Sequence, residues 1–233
     1  MNEIFSWSDT STWASLAETL SDSRISLARV REGLQSRYAG VEVLHACRAT
    51  SLCPYYENGL LVSDSELLDS EAVLRFFGSN ATLAEVAAVN AAVKELGKSD
   101  HGRLFVSIDS RSLIERSGHY LIYGSERLGA IAARLGDSPA EYRLKLKSHG
   151  KPTLFRALLR WRALSDTDID GISRKIAAEW QHFRSYSSSR ITMFSIVLRK
   201  SIPASDILGH LHPTPICDPM ERNTSYHWQD ATS

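Results

Sequence analysis

The 233-residue sequence predicts an α+β fold, and three observations carry that expectation. Arg103-Leu-Phe-Val-Ser-Ile-Asp109 has the β-branched and aromatic content of a strand. Leu128, Ile131, Ala132 and Leu135 stand at the i, i+3, i+4, i+7 spacing of an amphipathic helix. Between them the apolar, aromatic run Gly118-His-Tyr-Leu-Ile-Tyr-Gly124 stops abruptly at Ser125-Glu126, where that helix begins. The run reads as a second strand. Two tyrosine hydroxyls (Tyr120 and Tyr123), a serine and a carboxylate therefore arrive together at a strand end beside a helix N-terminus, a common place to build a site.

The remaining elements follow from the same rules. Trp13, Leu16, Ala17 and Leu20, then Leu27, Val30 and Leu34 after the break at Ser21-Asp22-Ser23, keep helical spacing, and Gly40 closes this segment. Residues 1–40 read as an N-terminal helical addition to a single unit spanning 41–233. Val41-Glu-Val-Leu-His-Ala-Cys47 alternates like a strand with Val41, Val43, His45 and Cys47 on one face. Ala49–Asn58 is a loop or short helix. Ser63 with Glu66, and Thr82 with Glu85, have the spacing of capping boxes for helices ending at Phe77 and at Gly97. Ser125 is the expected N-cap of the 128–135 helix, and Gly136 its stop. Thr153–Arg162 and Ile191–Leu198 read as strands, Ile169–Phe183 as a helix begun by Asp166 or Thr167, and the tail beyond Pro213 as irregular.

Composition narrows the function classes. Twenty-seven basic residues cancel twenty-seven acidic ones, so no overall field recruits nucleic acid or a membrane surface. No apolar run reaches the ~18 residues that cross a bilayer. The N-terminus lacks a basic stretch followed by an apolar block. Cys47, Cys53 and Cys217 are an odd count, which argues for a reducing, cytoplasmic setting rather than a disulfide scaffold.

Several motifs are incomplete or have a sufficient structural explanation. Gly124-Ser-Glu-Arg-Leu-Gly129 has phosphate-loop glycine spacing, but Ala130 and Ile131 replace the lysine and hydroxyl. Neither Gly-x-Gly-x-x-Gly after a strand nor Gly-x-Ser-x-Gly occurs. His45-x-Cys47 with Cys53, and His210-x-His212 with Cys217, contain soft ligands at spacings that match no common zinc module, so no metal is assigned. Ser125 and Glu126 also have a capping role that suffices to explain them, and tyrosines most often pack. From Arg143 to Arg162 the chain has seven basic residues and no acidic one. Arg143, Lys145, Lys147 and Lys151 are the candidates there for contact with a phosphate-rich partner, the alternative being a solvated face.

His45-Ala-Cys-Arg48, Tyr55-Tyr56, Asn58-Gly59-Leu60, the Gly118–Glu126 segment and Ile202-Pro-Ala-Ser-Asp-Ile207 together resemble the ADP-ribosyltransferase superfamily, in its bacterial toxin and phage-defence branches. The resemblance covers about Val41 to His212. It implies a split, mixed or antiparallel sheet flanked by helices, NAD as the substrate that supplies the ADP-ribose, and a nucleic-acid or protein acceptor, with an antitoxin or other regulatory partner in some relatives. Two departures stand out: Ala46-Cys47 follows the histidine where many relatives have Gly-Thr, and Ile191–Leu198 contains no glutamate. The catalytic carboxylate then falls to Glu126, or the activity is altered or absent.

Physical chemistry assigns parts to the same residues. Breaking the ribose–nicotinamide bond develops oxocarbenium character, which a carboxylate (Glu126) stabilises. Tyr56 and Tyr123 offer flat walls to nicotinamide, with Tyr120 and Ser125 beside them; His45 suits the ribose hydroxyls, and Arg48 the pyrophosphate. His45, Tyr123 and Glu126 are thus the expected catalytic set. A non-catalytic nucleotide- or partner-binding module on the same fold is the rival expectation. A zinc hydrolase using His45, His210 and His212 is a third.

Overall fold

The computed structural model describes residues 3–20, 26–97, 100–136 and 139–228, so the expected break at Ser21–Ser23 lies outside the described residues. The chain opens with a short strand, β1 (Glu3–Phe5), followed by helices α1 (Thr10–Thr19) and α2 (Leu27–Arg37). Asp9 and Ser26 cap the two helices, each side chain accepting a backbone N–H that the first turn leaves unpaired. Helix α2 runs directly into β2 (Tyr38–Ala49), the long central strand. Gly40 therefore does not close the helical segment but lies inside the strand. A Cβ there would sit 2.2 Å from the Leu159 carbonyl oxygen, so glycine is required by close backbone approach.

Beyond β2 come α3 (Cys53–Asn58), α4 (Ser65–Phe77) and α5 (Leu83–Leu96). Asp64, not Ser63, caps α4, whereas Thr82 and Glu85 form the full capping box expected for α5. Strand β3 (Leu104–Ser107) leads to α6 (Ser110–Glu115), α7 (His119–Tyr123), α8 (Glu126–Ala132) and α9 (Pro139–Ser148). The expected Gly118–Tyr123 strand is thus a short helix. Its buried residues, Leu121, Ile122 and Tyr123, are consecutive and too few for periodicity to separate the two forms. A Cβ on Gly118 would meet the Cys217 carbonyl oxygen at 2.0 Å, so the segment packs against the later chain, not alongside a strand partner.

The chain continues with β4 (Lys151–Arg160), α10 (Asp166–Tyr186), β5 (Ser195–Leu198), β6 (Ile207–Leu211) and a hairpin, β7 (Ile216–Asp218) and β8 (Thr224–Tyr226). Ser165 caps α10 with Asp168 completing the box. Only the second half of Ile191–Leu198 is strand, because the backbone before it is held by the buried Asp109 carboxylate, which accepts from Thr192 N at 2.9 Å. The tail beyond Pro213 is not wholly irregular, since the β7–β8 hairpin falls within it.

The sheet order is β5-β3-β2-β4-β6, with β1 added parallel to β2 and every other pairing antiparallel. Helices cover both faces. Val41 and Val43 of β2, with Phe155, Ala157 and Leu159 of β4, face α1, α2 and α10 in a core that holds Phe5, Trp7, Trp13, Leu34, Ile172 and Ile176. Leu44 and Leu154 face the opposite way, onto Phe76, Val89, Leu121, Ile122, Leu128 and Ile131. Burying each such side chain contributes about 1.5–3 kcal/mol, enough to lock the strand register, since a one-residue slip would exchange the two faces.

The sheet is not uniformly closed. Strands β2 and β4 pair from Gly40↔Arg160 to Ala49↔Lys151, whereas β2 and β3 pair only at Leu44↔Ser107. Beyond that point the two strands part, and the gap between them is where a site forms. No helix among the described residues is long and apolar enough to cross a membrane.

Candidate functional site

The parting of β2 and β3 opens a cavity of about 610 Å³, within the range of small-molecule and cofactor sites. His45, Cys47 and Arg48 reach it from β2, Tyr55 and Asn58 from α3, and Glu71 and Arg75 from α4. Asp100, Arg103 and Phe105 come from β3 and the turn before it, and Tyr120, Ser125 and Glu126 from the α7–α8 junction. Asn58, Ser125 and Glu126 are placed by the backbone around them. Asn58 ends α3, and Gly59 follows with φ 86°, its Leu60 neighbour exchanging two hydrogen bonds with Ile202 at 2.9 Å. Ser125 accepts from Arg127 N and starts α8, which places Glu126 in the first helical turn.

His45 sits at the opening of the gap. Its Nδ1 lies 3.1 Å from the Phe105 carbonyl oxygen, so the imidazole spans the two strands where their backbone ladder has ended. Burial lowers its pKa, opposed by that carbonyl, and the ring is neutral around pH 7. The neutral ring has one donor and one acceptor; with a donor at Nδ1 for the Phe105 carbonyl, Nε2 remains as an acceptor.

Across the cavity, Tyr120 Oη donates to Glu126 Oε1 at 2.6 Å. Burial, and then the Glu126 carboxylate, raise the Tyr120 pKa, so the phenol keeps its proton and the bond persists. His119 Nε2 approaches the same oxygen at 3.7 Å. Glu126 itself stays largely exposed, with one oxygen committed and one open. Cys47 lines the wall with its thiol pushed up to about 11 by burial, and donates weakly to Tyr55 Oη at 3.6 Å. It is a protonated packing thiol and a poor nucleophile. Tyr55 stacks on Phe155 with ring centroids 4.3 Å apart and lines the cavity.

The sequence-predicted residues divide. His45, Arg48, Tyr120, Ser125 and Glu126 share the cavity, although the chain supplies them from separate elements. Tyr123 does not join them. Its ring is buried in the core beyond the sheet, and its hydroxyl donates to Asp218 Oδ2 at 2.7 Å. Tyr56 points away as well, its hydroxyl 2.7 Å from His210 Nδ1 on β6, and the neighbouring Tyr55 takes the place expected for it. Arg48 lines the cavity, but its guanidinium is committed within the fold. Its guanidinium donates to four carbonyl oxygens, those of His149 (2.7 Å), Ile122 (3.0 Å), Lys147 (2.6 Å) and Gly150 (2.6 Å), and has little left for a ligand.

The basic segment is also rearranged. Arg143, Lys145 and Lys147 lie on helix α9, not on an extended segment, so they do not share one face through alternation. Lys145 Nζ donates to the Phe76 carbonyl, Lys147 Nζ bridges Glu221 and the buried Asp218, and Lys151 Nζ lies over the Trp228 ring. Arg156 and Arg160 are paired with Glu42 and Asp206. Most of the segment's charge is spent inside the fold. Among the described residues no group of three or more His, Cys, Asp or Glu side chains is arranged to hold a metal ion, and Phe155 stands between His45 and His210 in the sheet ladder. The zinc-hydrolase reading finds no ligand set there.

Arg75, Arg103, Tyr55 and Glu71 line the cavity although the sequence assigns none of them a site role. Glu71 and Arg75 have only the i, i+4 spacing of an ordinary solvated helix pair, and nothing local marks it as facing inward.

No family model, curated protein or solved structure matches this chain.

Proposed function

We propose that the cavity takes an NAD-like dinucleotide and that the protein is an ADP-ribosyltransferase-like enzyme acting on a macromolecular acceptor. The observation that carries this reading is the presence of His45, Tyr120, Ser125 and Glu126 on one cavity at the parting of β2 and β3. Charge development at the anomeric carbon asks for a carboxylate, and Glu126 has one oxygen oriented by Tyr120 and the other open. As the ribose–nicotinamide bond breaks, its electron pair leaves with neutral nicotinamide. The acceptor oxygen or nitrogen attacks the ribosyl carbon and yields its proton to the open Glu126 oxygen. Neutral His45 offers the Nε2 acceptor to a ribose hydroxyl. The flat wall for nicotinamide is assigned to Tyr55 and Tyr120 in place of Tyr56 and Tyr123.

A protein acceptor fits better than a nucleic acid, because the Lys145 and Lys147 ammonium groups already have partners within the fold. The test is incubation of the folded protein with NAD labelled in the ADP-ribose moiety, plus total RNA, DNA or cell proteins. Label on a macromolecule is expected, together with free nicotinamide. Absence of both from verified folded protein would refute the proposal.

One observation favours the non-catalytic binding module. Strand β5 turns Ser195 toward the cavity and carries no acid, so that wall supplies no carboxylate. That module predicts that Glu126→Gln leaves function intact, while the enzyme loses turnover.

A further inference from the structure

Two arginines on the cavity wall, Arg75 and Arg103, have no part in the proposed reaction. Arg75 Nε and Nη2 both donate to the single oxygen Glu71 Oε1, at 2.9 and 2.6 Å, which fixes the guanidinium plane. Its Nη1 is buried and has no hydrogen-bond partner, and the side chain is only 10% exposed. On the wall leading into β3, Arg103 has the same peculiarity: its Nε is buried without a partner, and its side chain has no ion pair among the described residues. Asp64 and Asp100 line the same cavity, yet Asp64 is taken up in capping α4. Arg75 lies close enough to Cys47 and Tyr55 for its charge to lower their pKa values, against the burial that raises them.

Leaving a buried cationic donor unpaired is costly, and an oxyanion removes the cost for both groups at once. Planar guanidinium edges suit phosphate oxygens, and two of them from different walls suit a ligand with two linked anionic centres. We propose that Arg75 and Arg103 form a diphosphate subsite in this cavity, with Arg48 excluded from that role by its four carbonyl contacts. The identity of the ligand as a dinucleotide rests on the function proposed above, whereas the anion subsite rests on the two guanidinium groups.

Calorimetric titration of inorganic pyrophosphate and of ADP-ribose into the full chain tests this. The wild type is expected to bind both, less tightly as salt rises, and Arg103→Gln to weaken both by about tenfold or more. Arg75→Gln should behave alike. Because Glu71 would lose its partner there, the double variant Glu71→Gln/Arg75→Gln, checked by circular dichroism, serves if the single one does not fold. Equal affinities in wild type and Arg103→Gln, or no binding of either probe to the wild type, overturn the subsite. Binding that Arg103→Gln abolishes, with no NAD consumed by the wild type, keeps the subsite and refutes the transferase. NAD consumption with unchanged KM in both arginine variants does the reverse.

Discussion

Arg48 offers the sharpest contrast between a ligand-binding and a structural role. Its side chain is 5% exposed and gathers the carbonyls of Ile122 on α7 and of Lys147, His149 and Gly150 at the turn between α9 and β4. Arg48→Met removes four charge-assisted donors at once. Each stranded carbonyl costs about 1–3 kcal/mol, offset by no longer burying a cation, which costs several kcal/mol. The net destabilisation is about 3–5 kcal/mol, or on the order of 10 °C in Tm for a chain of this size. Urea unfolding followed by tryptophan fluorescence measures it, and hydrogen exchange should quicken first in 119–123 and 147–151. Arg48→Lys should recover only part of the loss, since one ammonium cannot span four acceptors. A loss below about 1 kcal/mol combined with abolished ligand binding would refute the structural assignment.

Two further outcomes follow from the same geometry. Gly59→Ala meets φ 86° and a Cβ only 2.0 Å from the Ile202 carbonyl oxygen, so it should cost at least about 2 kcal/mol and loosen the Leu60–Ile202 bridge; an unchanged urea midpoint would contradict this. His45 has a folded-state pKa below its ordinary 6.5, so as pH falls below 6.5 the unfolded chain takes a proton that the folded chain refuses. Stability should therefore decline on acidification from pH 6.5 down to the folded pKa, by at most about 1.4 kcal/mol per pH unit from this group. His45→Gln should flatten that slope, leaving a contribution of the same sign from His119, whose pKa burial also lowers. A wild-type profile level between pH 7 and 5 would contradict the burial of the imidazole.

What could be read in the sequence was what is decided locally. Thr82 with Glu85 and Ser125 before Glu126 are caps whose chemistry lies within four residues, and each helix starts where they say. The alternation of Val41, Val43, His45 and Cys47 gave the correct face because both sides of β2 are packed. Gly118–Tyr123 was misread because a short buried run shows no period. Gly40 misled because its requirement comes from Leu159, over a hundred residues away. The site divided in the same way. Tyr55 and Tyr56 are adjacent on α3, so they point about 100° apart and only one can face the cavity. Which one does depends on the stacking of Tyr55 on Phe155, a contact with no local signature. Arg75 and Arg103 gain their meaning only from the walls they line.

The proposed role of Glu126, steadied by Tyr120 beside the cavity, is to act on the ribosyl bond of NAD. Nicotinamide release over time by the wild type and by Glu126→Gln tests it most directly. Release by the wild type, with turnover lost in a variant that folds and still binds ADP-ribose, is the predicted result. Equal release by the two proteins, or none by either, would contradict it.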